Sequence, residues 1–274
     1  MLRGSVNARR KNPSRAGRVK AAVAVLLALV SAACGRYPDA SVKSPSDVLG
    51  SEIGVLAGTS GEIFAERYDG GGEATVYLSA AAMMGDLRDG IIDCAIADSA
   101  TSAKIAKEGK RVTVLPARLF KLELRAAAAR EAFDMIDDID SALAELKSDG
   151  TVTKLQKAYV LGKTDEIPAH PAPRAYERKL RCAVPNESSP PYIVYAEDGT
   201  ASGFFPDLAL FICDKIGVNL ELVPLRTSRL AEAVAVGRDA DFAFGWEFYS
   251  AEASDSLVYS KTYASIEMTV ITRK

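Results

Sequence analysis

A chain of 274 residues with a net charge of -2, its acidic and basic residues interspersed, carries no basic footprint for nucleic acid. A hydrophobic share of 48% beside 26% charged residues suits one large domain or two small ones with proper cores. The single histidine, with no CxxC pair and no clustered carboxylates, points away from a metal site and from Ser–His–Asp chemistry.

In chain order, Arg3, Arg9, Arg10, Lys11, Arg15, Arg18 and Lys20 come before an unbroken small or apolar run from Ala21 to Ala33. A run of that length suits the hydrophobic region of a signal segment better than a membrane span. It ends in Ser31-Ala32-Ala33-Cys34, which resembles a bacterial lipobox with serine where leucine is usual. The resemblance implies that residues 1–34 are a lipoprotein signal peptide and that Cys34 is lipidated as the mature N-terminus. Ordinary secretion, with Cys34 as a free or disulfide-bonded thiol, is the alternative. Residues 35–47, polar and holding Pro38 and Pro45, read as a tether. Cys94, Cys182 and Cys213 each lie in an apolar run, where cysteine behaves as a small buried hydrophobe. A Cys182–Cys213 disulfide stays open, because spacing alone does not decide it.

Beyond the tether, strands and helices alternate. Residues 52–57 predict a short strand ending in Gly58-Thr59-Ser60-Gly61, with a helix from Glu62 and a strand over 73–78. Ser79 caps a helix that Gly90 closes, 91–97 is an apolar strand, and Asp98 opens the next helix. Strands follow at 112–116 and, longer, at 119–128, then helices at 130–148 and 152–161 split by Asp149-Gly150. This alternation argues for α/β units around a mostly parallel sheet. A proline-rich seam, residues 163–177 with Pro168, Pro171 and Pro173, separates these elements from a second series.

The run from Ser46 to Gly109, SDVLGSEIGVLAGTSGE through YLSAAAMMGDLRDGIIDCAIADSATSAKIAKEG, resembles the second lobe of the family 3 extracytoplasmic solute-binding proteins, the polar amino acid-binding components of ABC importers. ALAELKSDGTVTKLQKAYVLG resembles that family's closing helices. After the seam, LRCAVPNESSPPYIVYAEDGTASGFFPDLALFICDKIGVNLELVPL through VYSKTYASIEMTVITRK is similar to its first lobe. The resemblance thus covers the whole mature chain, with the lobes in reverse order. It implies a two-lobed α/β fold of the type II periplasmic-binding-protein kind, circularly permuted, with old termini joined by the seam. On this reading residues 48–118 form the second-type lobe, and 119–274 form a hinge strand plus the first-type lobe. Only the stretch around 119–125 is then expected to cross covalently, with residues 268–274 and the segment before Val48 lying alongside it.

The same resemblance implies the site. Thr59 and Ser60 fall on the family's carboxylate-binding turn, where backbone N–H groups at a helix start suit an anion; a plain helix cap is the other reading. Asp98 falls where the family pairs an acid with the ligand's ammonium group, and it is equally a natural N-cap. The arginine that clamps the ligand carboxylate has no counterpart, since Glu252 is followed by Ala253, and the aromatic walls are Ser189 and Thr227. Arg229 is therefore expected as a substitute anchor, with Trp246, Glu247 and Tyr192 completing the ligand-binding set. Solvated arginine and a core tryptophan are the competing readings. His170, in the seam, is expected to be a solvated linker residue.

The function implied is binding, with no catalytic residue, metal or cofactor. The expected partners are a small polar solute, an ABC permease and, through the lipid, the extracytoplasmic face of the cell membrane, the protein itself being a monomer. A ligand-degenerate or sensory domain that contacts a partner protein stays open, as does a dehydratase-like enzyme on the same fold.

Overall fold

The computed structural model describes residues 42–67, 74–109, 111–161, 167–245 and 256–274. Cys34 lies outside them, as do Trp246, Glu247 and Ala253.

A short 3-10 turn, Pro45–Val48, leads into β1 (Ile53–Leu56), α1 (Ser60–Arg67), β2 (Thr75–Tyr77) and α2 (Ala80–Asp89). The expected caps of α2 are in place. Ser79 Oγ accepts from the amide of Ala82, and Gly90 takes the left-handed conformation at φ 77°. β3 (Cys94–Asp98), α3 (Ser99–Glu108) and β4 (Val112–Leu124) follow, then β5 (Ala127–Ala129), α4 (Phe133–Ser148) and α5 (Thr151–Leu155). After the seam come β6 (Lys179–Pro185), β7 (Val194–Tyr195), β8 (Ala201–Ser202), α6 (Phe204–Ile216) and β9 (Asn219–Leu225). A 3-10 turn at Thr227–Arg229, α7 (Leu230–Ala235), β10 (Phe242–Ala243), β11 (Leu257–Tyr259) and β12 (Ala264–Arg273) complete the chain.

Two five-stranded sheets organise these elements, in the orders β2-β1-β3-β12-β4 and β11-β5-β10-β6-β9. In each, the first three strands of one chain segment are parallel, and one antiparallel strand comes from the other half of the chain. β12, from the C-terminal half, enters the first sheet between β3 and β4, while β5, from the N-terminal half, enters the second between β10 and β11. One covalent crossing is expected from the sequence, and the exchange makes two. The C-terminal strand belongs to the first sheet, because its buried Met268, Val270 and Ile271 need that core, so the chain crosses between sheets twice.

One strand spans 112–124 where the sequence suggests two. Pro116, which has no N–H to give the ladder, falls in a register break where Ile271 pairs with Val114 and Thr269 with Arg118. The extra residues are absorbed as a bulge without ending the strand.

Packing follows the pleat. Ala95 and Ala97 face Met83, Leu87 and Ile105 of the flanking helices, while Cys94 and Ile96 join the large cluster that runs on into the second lobe. On the far side of the second sheet, Leu230 and Val234 of α7 pack over Ala127, Ala183 and Ala243.

The seam, from Ile167 onward, is docked rather than solvated. His170 Nε2 lies 3.2 Å from Asp207 Oδ1 and its ring meets Phe211 edge-on at 6.2 Å. Tyr176 donates to Asp214 Oδ1 at 2.8 Å, and its carbonyl accepts from Asn219 Nδ2 at 2.7 Å. The segment therefore straps α6 from its first turn to its last.

Candidate functional site

β3 ends at Asp98, and the chain turns there into α3. Burial is nearly complete, at 2% exposure, so the carboxylate must be satisfied by donors. Its Oδ1 accepts from the amides of Ala100 and Thr101, both at 3.0 Å, and its Oδ2 accepts from Thr101 Oγ1 at 2.7 Å. The cap role is thus real. A further donor comes from the other lobe, where the hydroxyl of Tyr192 reaches Oδ1 at 3.2 Å.

Tyr192 sits in the loop after β6. Its amide donates to Ser189 O and its carbonyl accepts from Phe205 N, both at 2.9 Å. The ring packs against Phe205 at 5.8 Å and Phe204 at 6.5 Å, and the cluster continues through Phe244 and Tyr263, whose centroids are 4.8 Å apart. Gly203 is required beneath it, because its φ is 119° and a Cβ there would stand 2.8 Å from the Tyr192 carbonyl oxygen. Burial first, then the Asp98 charge, pushes the Tyr192 hydroxyl well above the usual tyrosine range, so it is a proton donor at any physiological pH.

Thr59 and Ser60 form the turn from β1 into α1, at the same end of the first sheet as Asp98. Thr59 Oγ1 donates to Leu56 O at 2.7 Å and accepts from Gly61 N at 3.2 Å. Ser60 Oγ, on a fully buried residue, has no hydrogen-bond partner. Next to it Gly58, at φ 68°, faces the opposite lobe, where a Cβ would come within 3.1 Å of Glu187 Cβ. Glu187 Oε2 in turn accepts from Thr227 Oγ1 at 3.5 Å.

The structure therefore brings Thr59, Ser60, Asp98 and Tyr192 to the junction between the lobes. Arg229 stands apart, with a side chain 59% exposed and paired to Glu232 Oε2 at 2.7 Å within its own helix. An i,i+3 partner is the ordinary fate of an exposed helix-start arginine. Sequence reasoning missed Glu187, Phe205 and Tyr263. Phe205 lay within the apolar helix pattern, whereas Glu187 and Tyr263 are in loops that carry no periodicity.

A second polar group flanks the crossings, where Arg125, Asp140, Lys147 and Lys261 line an open groove of about 530 Å³ with residues 259, 260 and 262. Its charges are internally engaged, Lys147 Nζ donating to Thr262 O and the Lys261 amide to Asp140 Oδ1, both at 2.6 Å. No helix among the described residues is long and apolar enough to cross a membrane.

Among curated proteins, no relative matches the chain. Among solved structures, it is similar to the phosphate-binding protein of a phosphate ABC transporter from Streptococcus pneumoniae, at 13% identity and a TM-score of 0.43, covering 82% of this chain and 90% of that one. A periplasmic substrate-binding protein of an ABC transporter from Coxiella burnetii is similar at 13% identity and a TM-score of 0.34, covering 81% and 84%. So is a probable transcriptional regulator from Pseudomonas aeruginosa, at 13% identity and 0.38, covering 98% and 75%. The family model of the bacterial extracellular solute-binding proteins, family 3, matches residues 180–274. The similarity to that family thus runs from Leu180 to Lys274, about a third of the chain.

Proposed function

We propose that the chain captures a small polar solute, an amino acid or a related compound, between its two lobes and presents it to the permease of an ABC importer. The observation that carries this reading is the meeting of Asp98 and Tyr192 across the lobes, in a chain whose C-terminal part matches a solute-binding family. In the mechanism, solute docks on one lobe and the other closes over it. The Thr59-Ser60 turn would receive the anionic end of the solute, Ser60 Oγ having no partner of its own. Asp98 would receive the cationic end, and Trp246 and Glu247, shortly after Phe244, would line the wall. Arg229 joins only if closure over solute releases it from Glu232. This is binding without catalysis, by a lipid-anchored monomer tethered through Cys34.

Thermal-shift screening of the full-length chain against amino acids, small carboxylates and amines tests the reading. A solute present at about 100 times its Kd stabilises the native form by roughly 2.7 kcal/mol, or about 5–10 °C for a chain of this size. Silence across the panel would favour a second reading, a ligand-degenerate or sensory domain that contacts a partner protein. That alternative draws support from Ala253 in place of the clamp and from the diversion of Arg229 to Glu232. For the anchor, a Cys34→Ser chain should leave the membrane fraction; retention there would count against lipidation.

The permuted order of the lobes belongs to the same proposal. One feature supports it: Thr272 Oγ1 donates to Val42 O at 2.9 Å, which puts the last strand beside the start of the folded chain. A variant with Lys274 joined to Val42 by a short linker and opened within the seam should fold with similar stability, since short surface linkers cost little. Failure of that variant to fold, with the parent folding normally, would reject the permutation.

A further inference from the structure

The carboxylate of Asp98 accepts four hydrogen bonds with no solute involved. Three come from its own helix start, and an ionised carboxylate has about four acceptor positions in all. The fourth, from Tyr192, comes from the opposite lobe and is the third donor on Oδ1, Oδ2 accepting from Thr101 alone among these bonds.

Tyr192 is not a passing neighbour. It is 1% exposed, its ring is wedged by Phe204 and Phe205, and its carbonyl holds the start of α6 through Phe205 N. Gly203 approaches that backbone closely, a Cβ there standing 2.8 Å from the Tyr192 carbonyl oxygen. Beside this bond, Gly58 of one lobe rests against Glu187 of the other, and Thr227 holds the Glu187 carboxylate. Two contacts thus join the lobes, one between buried Tyr192 and Asp98 and one involving exposed Glu187.

We propose that Tyr192 is a built-in competitor for Asp98: its hydroxyl latches the lobes together in the absence of solute, and an incoming cation must displace it. The inference rests on the two-lobed reading but not on any solute. It changes the expected behaviour of the protein, because a self-satisfied carboxylate makes the closed form the resting state. Solute affinity is then lowered by the share of molecules already latched. High-affinity solutes are those whose cation offers Asp98 more than one phenol does.

The test uses the full-length chain in the Cys34→Ser background, with Leu78→Cys and Glu197→Cys carrying nitroxide labels on exposed positions of the two lobes; Cys94, Cys182 and Cys213 are buried and stay unlabelled. Pulsed dipolar spectroscopy without added solute should give one short distance. Tyr192→Phe, which keeps the ring and removes only the donor, should lengthen or split that distribution. A bond to a charged group is worth a factor of about ten or more in the open-to-closed ratio. Asp98→Asn, which preserves an acceptor for the helix cap but not the charge, should shift it the same way by less. A long distance in the parent chain, or a distribution unmoved by both substitutions, overturns the latch. Neither result bears on whether a solute binds, which the thermal-shift panel decides by itself.

Discussion

Removing the guanidinium of Arg273 is expected to weaken the lobe built on the β2-β1-β3-β12-β4 sheet more than any other single side-chain truncation near the chain end. The side chain is 5% exposed, and its Nη1 donates to Leu87 O and Ile92 O, each at 2.8 Å, while Nη2 lies 3.7 Å from Asp93 Oδ1. Leu87 is in the last turn of α2, where its carbonyl also accepts a long bond from the Gly90 amide at 3.4 Å and the helix dipole favours a cation. Hydrogen bonds from a charged donor contribute roughly 1.5–3 kcal/mol each, so two give about 3–6 kcal/mol. Water entering the vacated space recovers part of this, which sets the expectation for Arg273→Ala near the lower end, about 3 kcal/mol. For a chain of this size that corresponds to a midpoint lower by roughly 6–12 °C. Arg273→Lys should lose about half as much, since one ammonium cannot reproduce the forked geometry that spans two carbonyls. Urea unfolding followed by circular dichroism gives both values. A loss below about 1 kcal/mol for the alanine variant, or a lysine variant equal to the parent, would refute the pin.

The three buried thiols should resist a thiol reagent in the native state and react together on unfolding, because burial pushes Cys94 and Cys213 up to about 12 and Cys182 well above its usual range; rapid native labelling of any of them would contradict this. Stability should fall on the alkaline side. Burial first, in each case, raises Tyr77 and Tyr195 to about 12, with Asp86 and Glu187 adding to it, so the folded state keeps protons that the unfolded chain releases from about pH 10. The contribution is intact below pH 10 and is lost as pH climbs towards 12; Tyr195→Phe should flatten the slope of stability against pH by one proton, and an unchanged slope would exclude it. Asp207→Ala should cost roughly 2–3 kcal/mol, because this buried carboxylate accepts from Tyr159 and meets His170, whereas His170→Ala, at a side chain 53% exposed, should cost less than about 1 kcal/mol. Equal losses from the two, in chemical denaturation, would move the weight of the strap onto the histidine.

Local signals in the chain were enough for much of this fold. Ser79 and Gly90 bound α2, and Asp98 begins α3, since caps act within three or four residues of themselves. Where the sequence reading and the structure differ, distant partners decide. Residues 268–274 are expected beside the 119–125 stretch, and Met268 does pair with Phe120 there; its second pairing, with Asp98, is not legible, because no local pattern encodes a partner more than 150 residues away. Pro116 reads as a strand end, but pairing on both sides carries the strand past it. In the candidate site, Asp98, Thr59 and Ser60 were legible as helix starts at strand ends. Tyr192 on Asp98 was not, because the contact depends on how the two lobes close. His170 read as linker because proline-rich composition describes the seam's backbone and says nothing of the acidic first turn of α6 beneath it.

How the lobes move follows from the exchange of strands. β4 and β12 run antiparallel beside each other from Val112–Arg273 to Leu124–Ala264, so the two crossings leave the first sheet as one paired ribbon. Just past that ribbon the pairing continues through single bonds: Tyr263 N to Leu124 O, Ser260 N to Ala126 O, and Ala126 N to Ser260 Oγ, each at 2.9 Å. A ribbon bends least where its ladder is regular. Bending therefore concentrates in residues 125–126 and 260–263, between the end of one sheet and the start of the other. Tyr263 lies in this short bend and also packs at 4.8 Å on Phe244 and at 6.1 Å on Phe204, which in turn touches Tyr192. The hinge and the latch thus share one aromatic cluster, and opening the bend requires repacking the ring that holds Tyr192 against Asp98.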